Sequence, residues 1–133
     1  MTLYVDSSAL LKRYIQEPDS DRVDELLSSD SDLVTARHTV VEVRRNLVRQ
    51  LTPAEATAAR ASFSAELAHI SVVELDEATC ELAATVAQHT GVRALDALHL
   101  GAAKRLGSAI SFLTFDTRQA EAARSLGFRV LGS

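Results

Sequence analysis

The feature that most constrains this fold is a regular alternation of short apolar runs with longer segments of helical periodicity. Five runs have the length and composition of β-strands, and helical segments separate each run from the next. Because parallel strands require long crossover connections, this order predicts an α/β domain of three layers, α/β/α, around a five-stranded, mainly parallel sheet. The predicted strands are Leu3–Asp6, Asp32–Ala36, Ile70–Leu75, Ile110–Phe115 and Phe128–Leu131.

Local capping signals place the helices between these strands. Thr52 suits an N-cap, Pro53 suits the first helical position, and Glu55 suits the return bond of a capping box. Gly91 and Gly107 occupy positions typical of residues that follow a helix end. The predicted helices are Ala9–Gln16, Asp19–Ser28, Thr39–Gln50, Pro53–His69, Asp76–His89 with Asp76 as its cap, Ala94–Leu106 and Thr117–Leu126.

The length of 133 residues allows one hydrophobic core, so we expect a single domain over residues 1–133. The first residues carry no basic segment followed by a long apolar run, so neither a secretory signal nor a membrane span is predicted. A lone cysteine cannot form an internal disulfide, which favours a reducing compartment. We therefore expect a cytoplasmic protein in which Cys80 is a small buried residue of its helix.

Several common kinds of active site are excluded by motifs that the sequence lacks. It contains no Walker A motif and no Gly-x-Gly-x-x-Gly, so a phosphate-binding glycine loop is not predicted. It contains no Cys-x-x-Cys and no His-x-x-x-His pair, which argues against zinc. The sequence places no histidine-and-acid pair near Ser7 or Ser8, so a serine hydrolase is not predicted. The remaining candidates are carboxylates.

Two carboxylates follow strands at the edge where an open parallel sheet places its ligand site. Asp6 ends the first predicted strand, and Asp116 follows the fourth. Each has an ordinary alternative role, because aspartate is a favoured N-cap and Asp116 has Gln119 three residues later, as in a capping box. Their joint occurrence at two strand ends indicates an acidic site at the carboxyl edge of the sheet.

Asp96 lies in the first turn of a predicted helix that is apolar on nearly every side. A charge in such surroundings needs a hydrogen bond, an ion pair or a metal ion. A cap or a salt bridge with Arg93 is the structural alternative to a carboxylate directed into the cleft. His99 follows three residues later, and we interpret it as a core histidine or one that supports the site.

Glu42 has the weakest local signal of the candidate acids. On a helical wheel it shares a polar face with His38, Asn46 and Arg49. Solvation of that face explains the pattern without any function. Periodicity alone therefore leaves the role of Glu42 open.

Four short segments occur in an order and at spacings that a known family shares. They are Tyr4–Leu10, Val40–Val43, Arg93–His99 and Leu113–Asp116. In these segments the chain resembles a PIN domain, and the resemblance extends along its whole length. The short single-domain length resembles the VapC-type toxins of type II toxin–antitoxin systems in particular.

The resemblance implies a fold, an ion and a set of site residues. Asp6, Glu42, Asp96 and Asp116 would form one catalytic cluster around Mg²⁺ or Mn²⁺, because carboxylate oxygens suit such ions. Within this cluster the metal ligands would be Asp6, Asp96 and Asp116, and Glu42 would orient or deprotonate water or hold a second ion. The hydroxyl residues that resemble the family's supporting groups are Thr114 with Ser7 or Ser8.

The resemblance also implies an endoribonuclease that cleaves single-stranded or loop RNA, forms a homodimer and is blocked by a VapB-type antitoxin. The net charge of −4 opposes RNA binding until bound divalent ions offset it. Candidate phosphate contacts are Arg13, Arg37, Arg44, Arg45, Arg49, Arg93 and Lys104. Two alternatives remain open: a catalytically silent PIN-like interaction module, and a haloacid-dehalogenase-like phosphatase, although Ser8 stands where that family has its second aspartate.

Overall fold

Five parallel strands in the order β3-β2-β1-β4-β5 form the centre of the molecule. The computed structural model describes residues 1–29 and 32–133. The strands are β1 Thr2–Val5, β2 Asp32–Ala36, β3 Ser71–Val73, β4 Ser111–Thr114 and β5 Arg129–Gly132. The helices are α1 Ser7–Leu11, α2 Ser20–Leu27, α3 His38–Gln50, α4 Pro53–Leu67, α5 Glu77–Thr90, α6 Ala94–Lys104 and α7 Thr117–Ser125.

The strand order places the first and fourth strands side by side. After β1 the chain adds β2 and β3 on one side and then returns to add β4 and β5 on the other. Val5 pairs with Leu113, and the backbone N–H of Asp6 donates to Leu113 O at 3.2 Å beyond the end of the strand. The strand order therefore reverses between β1 and β4, next to Asp6, at the sheet edge where the sequence predicts an acidic site.

Side chains along each strand point alternately to the two faces of the sheet, so each face has its own hydrophobic core. Tyr4 and Phe112 stack with ring centroids 5.0 Å apart on the face covered by α5, α6 and α7. Leu3, Val5 and Leu113 belong to the other core, together with buried residues of α1 to α4. Successive side chains of a strand point to opposite faces, so the period of two in these strands yields the expected α/β/α layers.

Helices α5 and α6 pack closely because a glycine lies where they meet. A Cβ added to Gly101 would lie 2.7 Å from the backbone N of Ala83 and 2.8 Å from its Cα. Backbone atoms cannot move aside as a flexible side chain can, so only glycine fits at this contact. The close approach fixes the position of α6, the helix that carries Asp96 and His99.

The structure corrects three details of the sequence prediction. Helix α1 begins at Ser7 and ends at Leu11, because the following N–H groups bond to carbonyls three residues back in tight turns. Strand β3 is limited to Ser71–Val73, the residues that pair with β2. Cys80 is exposed rather than buried, because α5 turns Thr79, Ala83 and Val86 toward the core instead.

No helix in residues 1–29 and 32–133 combines the length and the apolar character needed to cross a membrane.

Candidate active site

Asp6 is a buried carboxylate held by three hydrogen bonds. Its Oδ1 accepts from the backbone N–H of Ala9 at 3.0 Å and from Ser8 Oγ at 2.7 Å. Its Oδ2 accepts from Thr114 Oγ1 at 2.5 Å. Burial raises the pKa of Asp6, although the nearby His99 and these hydrogen bonds oppose the rise. Asp6 is therefore both the N-cap of α1 and a fixed acid at the sheet edge.

The same two hydroxyls also hold the turn between β4 and α7. Ser8 Oγ accepts from the backbone N–H of Phe115 at 3.2 Å, and Thr114 Oγ1 accepts from that of Asp116 at 3.1 Å. Each hydroxyl thus donates to Asp6 and accepts from the turn. This arrangement fixes Asp6 and Asp116 relative to each other.

Asp116 is exposed and caps α7. Its Oδ1 accepts from the backbone N–H of Gln119 at 3.1 Å, as the sequence predicts. The Gln119 side chain does not complete a capping box: it is buried, and its amide atoms lack hydrogen-bond partners among the described residues. Capping uses one oxygen of Asp116 and leaves Oδ2 for another ligand.

Asp96 is half-buried as the third residue of α6, and its carboxylate has no hydrogen bond or ion pair in the described part of the chain. The alternative of a salt bridge with Arg93 is therefore not realised, and Arg93 forms no side-chain cap either. The pKa of Asp96 is raised first by burial and next by the negative charge of Asp116. The charges of Asp6 and Glu42 add to the rise, while His99 opposes it. Asp96 therefore lies within electrostatic reach of the other three acids.

Glu42 joins the cluster from α3. Its Oε1 accepts from Ser7 Oγ at 2.8 Å and lies 2.8 Å from His99 Nε2. Burial alone would raise the pKa of Glu42, but its contacts with His99 and Ser7 outweigh burial, so the pKa is lowered. The solvated-face alternative therefore does not apply to Glu42. The two adjacent serines serve different acids, Ser7 binding Glu42 and Ser8 binding Asp6.

His99 links Glu42 to the core, as expected for a supporting histidine. Its side chain is buried, and Tyr4 Oη lies 2.7 Å from its Nδ1. A neutral ring with its hydrogen on Nε2 satisfies both contacts, because Tyr4 then donates to Nδ1 and Nε2 donates to Glu42. The sequence analysis did not identify Tyr4. Its only signal is a polar atom on a strand residue two positions before Asp6.

His38 is a further residue of the site that the sequence analysis placed only on a polar helix face. It is buried, its ring centroid is 4.0 Å from that of His99, and its Nε2 lies 3.1 Å from Leu95 O. Burial and the neighbouring His99 lower the pKa of His38 to about 4. The donor atoms of His38, Glu42 and His99 all lie within 4.8 Å of one another.

The chemistry of the acids suits a divalent cation, but among the described residues only His38, Glu42 and His99 bring three donor atoms within 4.8 Å of one another. Asp96 offers a carboxylate without a protein partner, and Asp116 keeps one oxygen free. Burial and, next, the negative charge of Asp116 raise the pKa of Asp96, and a cation would relieve both effects. Carboxylate oxygens suit hard ions such as Mg²⁺, whereas the set of His38, Glu42 and His99 suits imidazole-binding ions.

Comparison with known proteins assigns the family. The family model described as PIN domain matches residues 3–125. Ribonuclease VapC46 of Mycobacterium tuberculosis is 34% identical over 130 residues, covering 97% of this chain and 95% of that protein. Ribonuclease VapC47 of the same species is 31% identical and covers 95% and 93%.

Solved structures share the fold. The sarcin–ricin loop cleaving toxin VapC20 of Mycobacterium tuberculosis superposes with a TM-score of 0.75 at 19% identity, covering 99% of this chain and 98% of that one. VapBC-5 of the same species, a member of the VapBC family of toxin–antitoxin systems, gives a TM-score of 0.68 at 19% identity, covering 98% of each chain. The chain therefore belongs to the PIN domain family, and within it to the group of the VapC ribonucleases.

Proposed function

We propose that this protein is a metal-dependent endoribonuclease of the VapC type, the toxin of a toxin–antitoxin pair. The observation that carries the proposal is that Asp96 has no hydrogen bond or ion pair in the described chain and feels the negative charges of Asp116, Asp6 and Glu42. Its relatives are named ribonucleases. The match over residues 3–125 removes the haloacid-dehalogenase-like phosphatase as an alternative.

Asp6, Asp96 and Asp116 are the proposed ligands of the cation, which is Mg²⁺ or Mn²⁺. Asp6 is oriented by Ser8 and Thr114 before any ligand arrives, so little ordering is needed on binding. When bound, the cation would acidify a coordinated water molecule and stabilise the oxygen that leaves phosphorus. The overall reaction is hydrolysis of an RNA phosphodiester.

Glu42 orients the attacking water in this proposal. Ser7 and His99 both contact Oε1, which leaves Oε2 available at the site. A lowered pKa keeps Glu42 ionised at neutral pH but makes it a weak base. Its role is therefore to accept a hydrogen bond from the water and fix its direction toward phosphorus.

The proposal extends to the domain and to a partner protein. Residues 1–133 act as one nuclease domain, because all described strands belong to one sheet. A VapB-type antitoxin blocks the site, and an arginine of that partner would pair well with the cluster. The toxin–antitoxin identity of VapBC-5 supports such a partner. We also propose a homodimer and a cytoplasmic location.

Substitution of the acids tests the activity. We expect Asp6→Asn and Asp96→Asn to reduce Mg²⁺-dependent cleavage of labelled single-stranded RNA by more than about 100-fold, since even outer-shell partners of metal ligands cost about 10–100-fold. Circular dichroism would show that both variants fold. Wild-type cleavage rates in either variant would contradict the roles proposed for these acids. No Mg²⁺-dependent cleavage by the wild type would favour a catalytically silent interaction module.

A matched control separates loss of a site acid from loss of a helix cap. Asp116 and Asp76 each cap a helix through a backbone N–H three residues later. Asparagine caps as well as aspartate, so Asp116→Asn and Asp76→Asn both keep their helices. We expect only Asp116→Asn to lose activity. Equal loss in both variants would contradict a specific role of Asp116 in the site.

A further inference from the structure

A cavity of about 810 Å³ continues from the acidic cluster and has no role in the chemistry described so far. Asp96 and Asp116 line it together with the end of α5, the connection to α6 and one side of α7, which adds a further acid, Glu121. Its volume falls within the roughly 300–1,000 Å³ of typical ligand sites. The space is therefore large enough for a nucleotide unit of a strand whose phosphodiester lies at the acids.

Two helices present the same combination of charges to this cavity. Arg93 is the N-cap of α6 and Asp96 is its third residue. Asp116 is the N-cap of α7 and Arg118 is its second residue. All four residues line the cavity, so each helix start contributes one acid and one arginine.

The side chains of these two arginines have no partner in the described part of the chain. Arg13, Arg37 and Arg105 each form ion pairs with acids. The side chains of Arg93 and Arg118 are exposed and form no hydrogen bond or ion pair among residues 1–29 and 32–133, although acids line the same cavity. Binding a phosphate there would not require an existing ion pair to break, and guanidinium groups bind phosphate with paired N–H donors.

We propose that this cavity holds the part of a single-stranded RNA next to the reacting phosphodiester, with Arg93 and Arg118 contacting its phosphates. The inference rests on the ribonuclease function proposed above. Single strands fit because their bases can splay into a cavity, which bases within a duplex cannot do. The arginines compensate for the negative acids near the strand, and Arg118 adds a contact that sequence reasoning missed.

Binding without cleavage provides the test. Fluorescein-labelled 12-nucleotide single-stranded RNA is titrated in Ca²⁺, a divalent ion that offsets the charge of the acids, with wild-type protein, Arg93→Ala, Arg118→Ala and the double variant. A gel confirms that the RNA stays intact. We expect each single substitution to weaken binding about tenfold, as for loss of a charge-assisted hydrogen bond. The slope of log affinity against log salt should fall by about 0.7 for each lost phosphate contact. Arg118→Lys should recover part of the affinity.

Arg60→Ala is the matched control. Arg60 is also an exposed arginine, but it lines a separate cavity of about 570 Å³ that none of the four acids borders. We expect this variant to bind RNA as the wild type does. Equal weakening in Arg60→Ala, an unchanged salt slope in the cavity variants, or no detectable binding by the wild type would each overturn the proposal.

Cleavage kinetics and partner binding complete the test. With Mg²⁺ the cavity variants should raise KM about tenfold and change kcat little, because the contacts lie beside the reacting group. A wild-type protein that binds RNA through the two arginines yet never cleaves it would refute the ribonuclease function and leave the cavity assignment standing. Variants that bind RNA normally but lose a protein partner would overturn the assignment in favour of protein docking.

Discussion

Thr114 Oγ1 donates a 2.5 Å hydrogen bond to Asp6 Oδ2 and joins the ends of β4 and β1 across 108 positions of sequence. Both side chains are buried. The same hydroxyl accepts from the backbone N–H of Asp116, so one oxygen atom connects two acids of the site. The positions of these two acids thus depend on Thr114, an uncharged residue.

Thr114→Val tests this dependence. Valine keeps the shape but leaves Asp6 Oδ2 buried without its donor, which should cost about 1–3 kcal/mol of unfolding free energy. The pKa of Asp6 should rise further, because the Thr114 hydrogen bond lowers it. Urea denaturation measures the first effect, and RNA cleavage should fall with it.

Thr79→Val is the control for Thr114→Val. Thr79 is also buried, and its hydroxyl donates to Glu74 O at 2.9 Å, outside the acidic cluster. We expect this variant to lose stability while cleavage per folded molecule stays at the wild-type level. Full activity in Thr114→Val would show that Asp6 needs no such support.

The effect of Asp96→Asn on stability should change sign when the cation is added. Without metal the substitution removes a charge that burial and the neighbouring acids destabilise, so Tm should rise by a few degrees. With Mg²⁺ the wild type should be stabilised by about 2.7 kcal/mol at 100 times Kd, and the variant should gain much less. Thermal unfolding in EDTA and in a Mg²⁺ series measures both; a variant with an unchanged Mg²⁺ response would exclude Asp96 as a ligand.

His38 should make stability fall as the solution becomes acidic. Its pKa is about 4 in the folded chain, below the ordinary value of 6.5. Between these values the unfolded chain binds a proton that the folded chain does not, so unfolding becomes more favourable as pH falls, by at most about 1.4 kcal/mol per pH unit. Urea denaturation from pH 7 to pH 4.5 measures the slope.

Two variants test whether His38 causes the pH dependence of stability. His38→Gln should flatten the pH dependence, because the group that resists protonation is gone. His69→Gln replaces an exposed histidine after α4 and should leave the dependence unchanged. An identical slope in the wild type and in His38→Gln would show that other groups cause the acid sensitivity.

Gly101→Ala should destabilise the contact between α5 and α6. The added Cβ meets backbone atoms of Ala83 at 2.7 and 2.8 Å, and such overpacking typically costs about 1–3 kcal/mol. The second substitution Ala83→Gly should rescue little, because it removes the side chain and leaves those backbone atoms in place. Complete rescue by Ala83→Gly, measured by thermal unfolding, would contradict this explanation.

Local signals in the sequence were enough to predict the sheet, its layers and the edge that holds the site. The capping box of Thr52 and Glu55 forms, since both partners lie within four consecutive residues. The positions of Asp6 and Asp116 follow from strand ends and parallel pairing. Each acts as a helix cap and also lies in the acidic cluster, so the two interpretations of these residues were not exclusive.

Contacts between distant elements were beyond the reach of periodicity. A helical wheel shows the polar face of α3, but it does not show that α6 presents His99 to Glu42, 57 positions away, or that Tyr4 contacts His99. The same limit explains why the predicted burial of Cys80 was wrong, since its exposure depends on which face of α5 packs against the core. Residue types and their spacing establish which side chains carry a charge, cap a helix or favour burial. Which of these side chains contact one another depends on how the helices pack on the sheet, because burial and hydrogen bonding require neighbours from other elements.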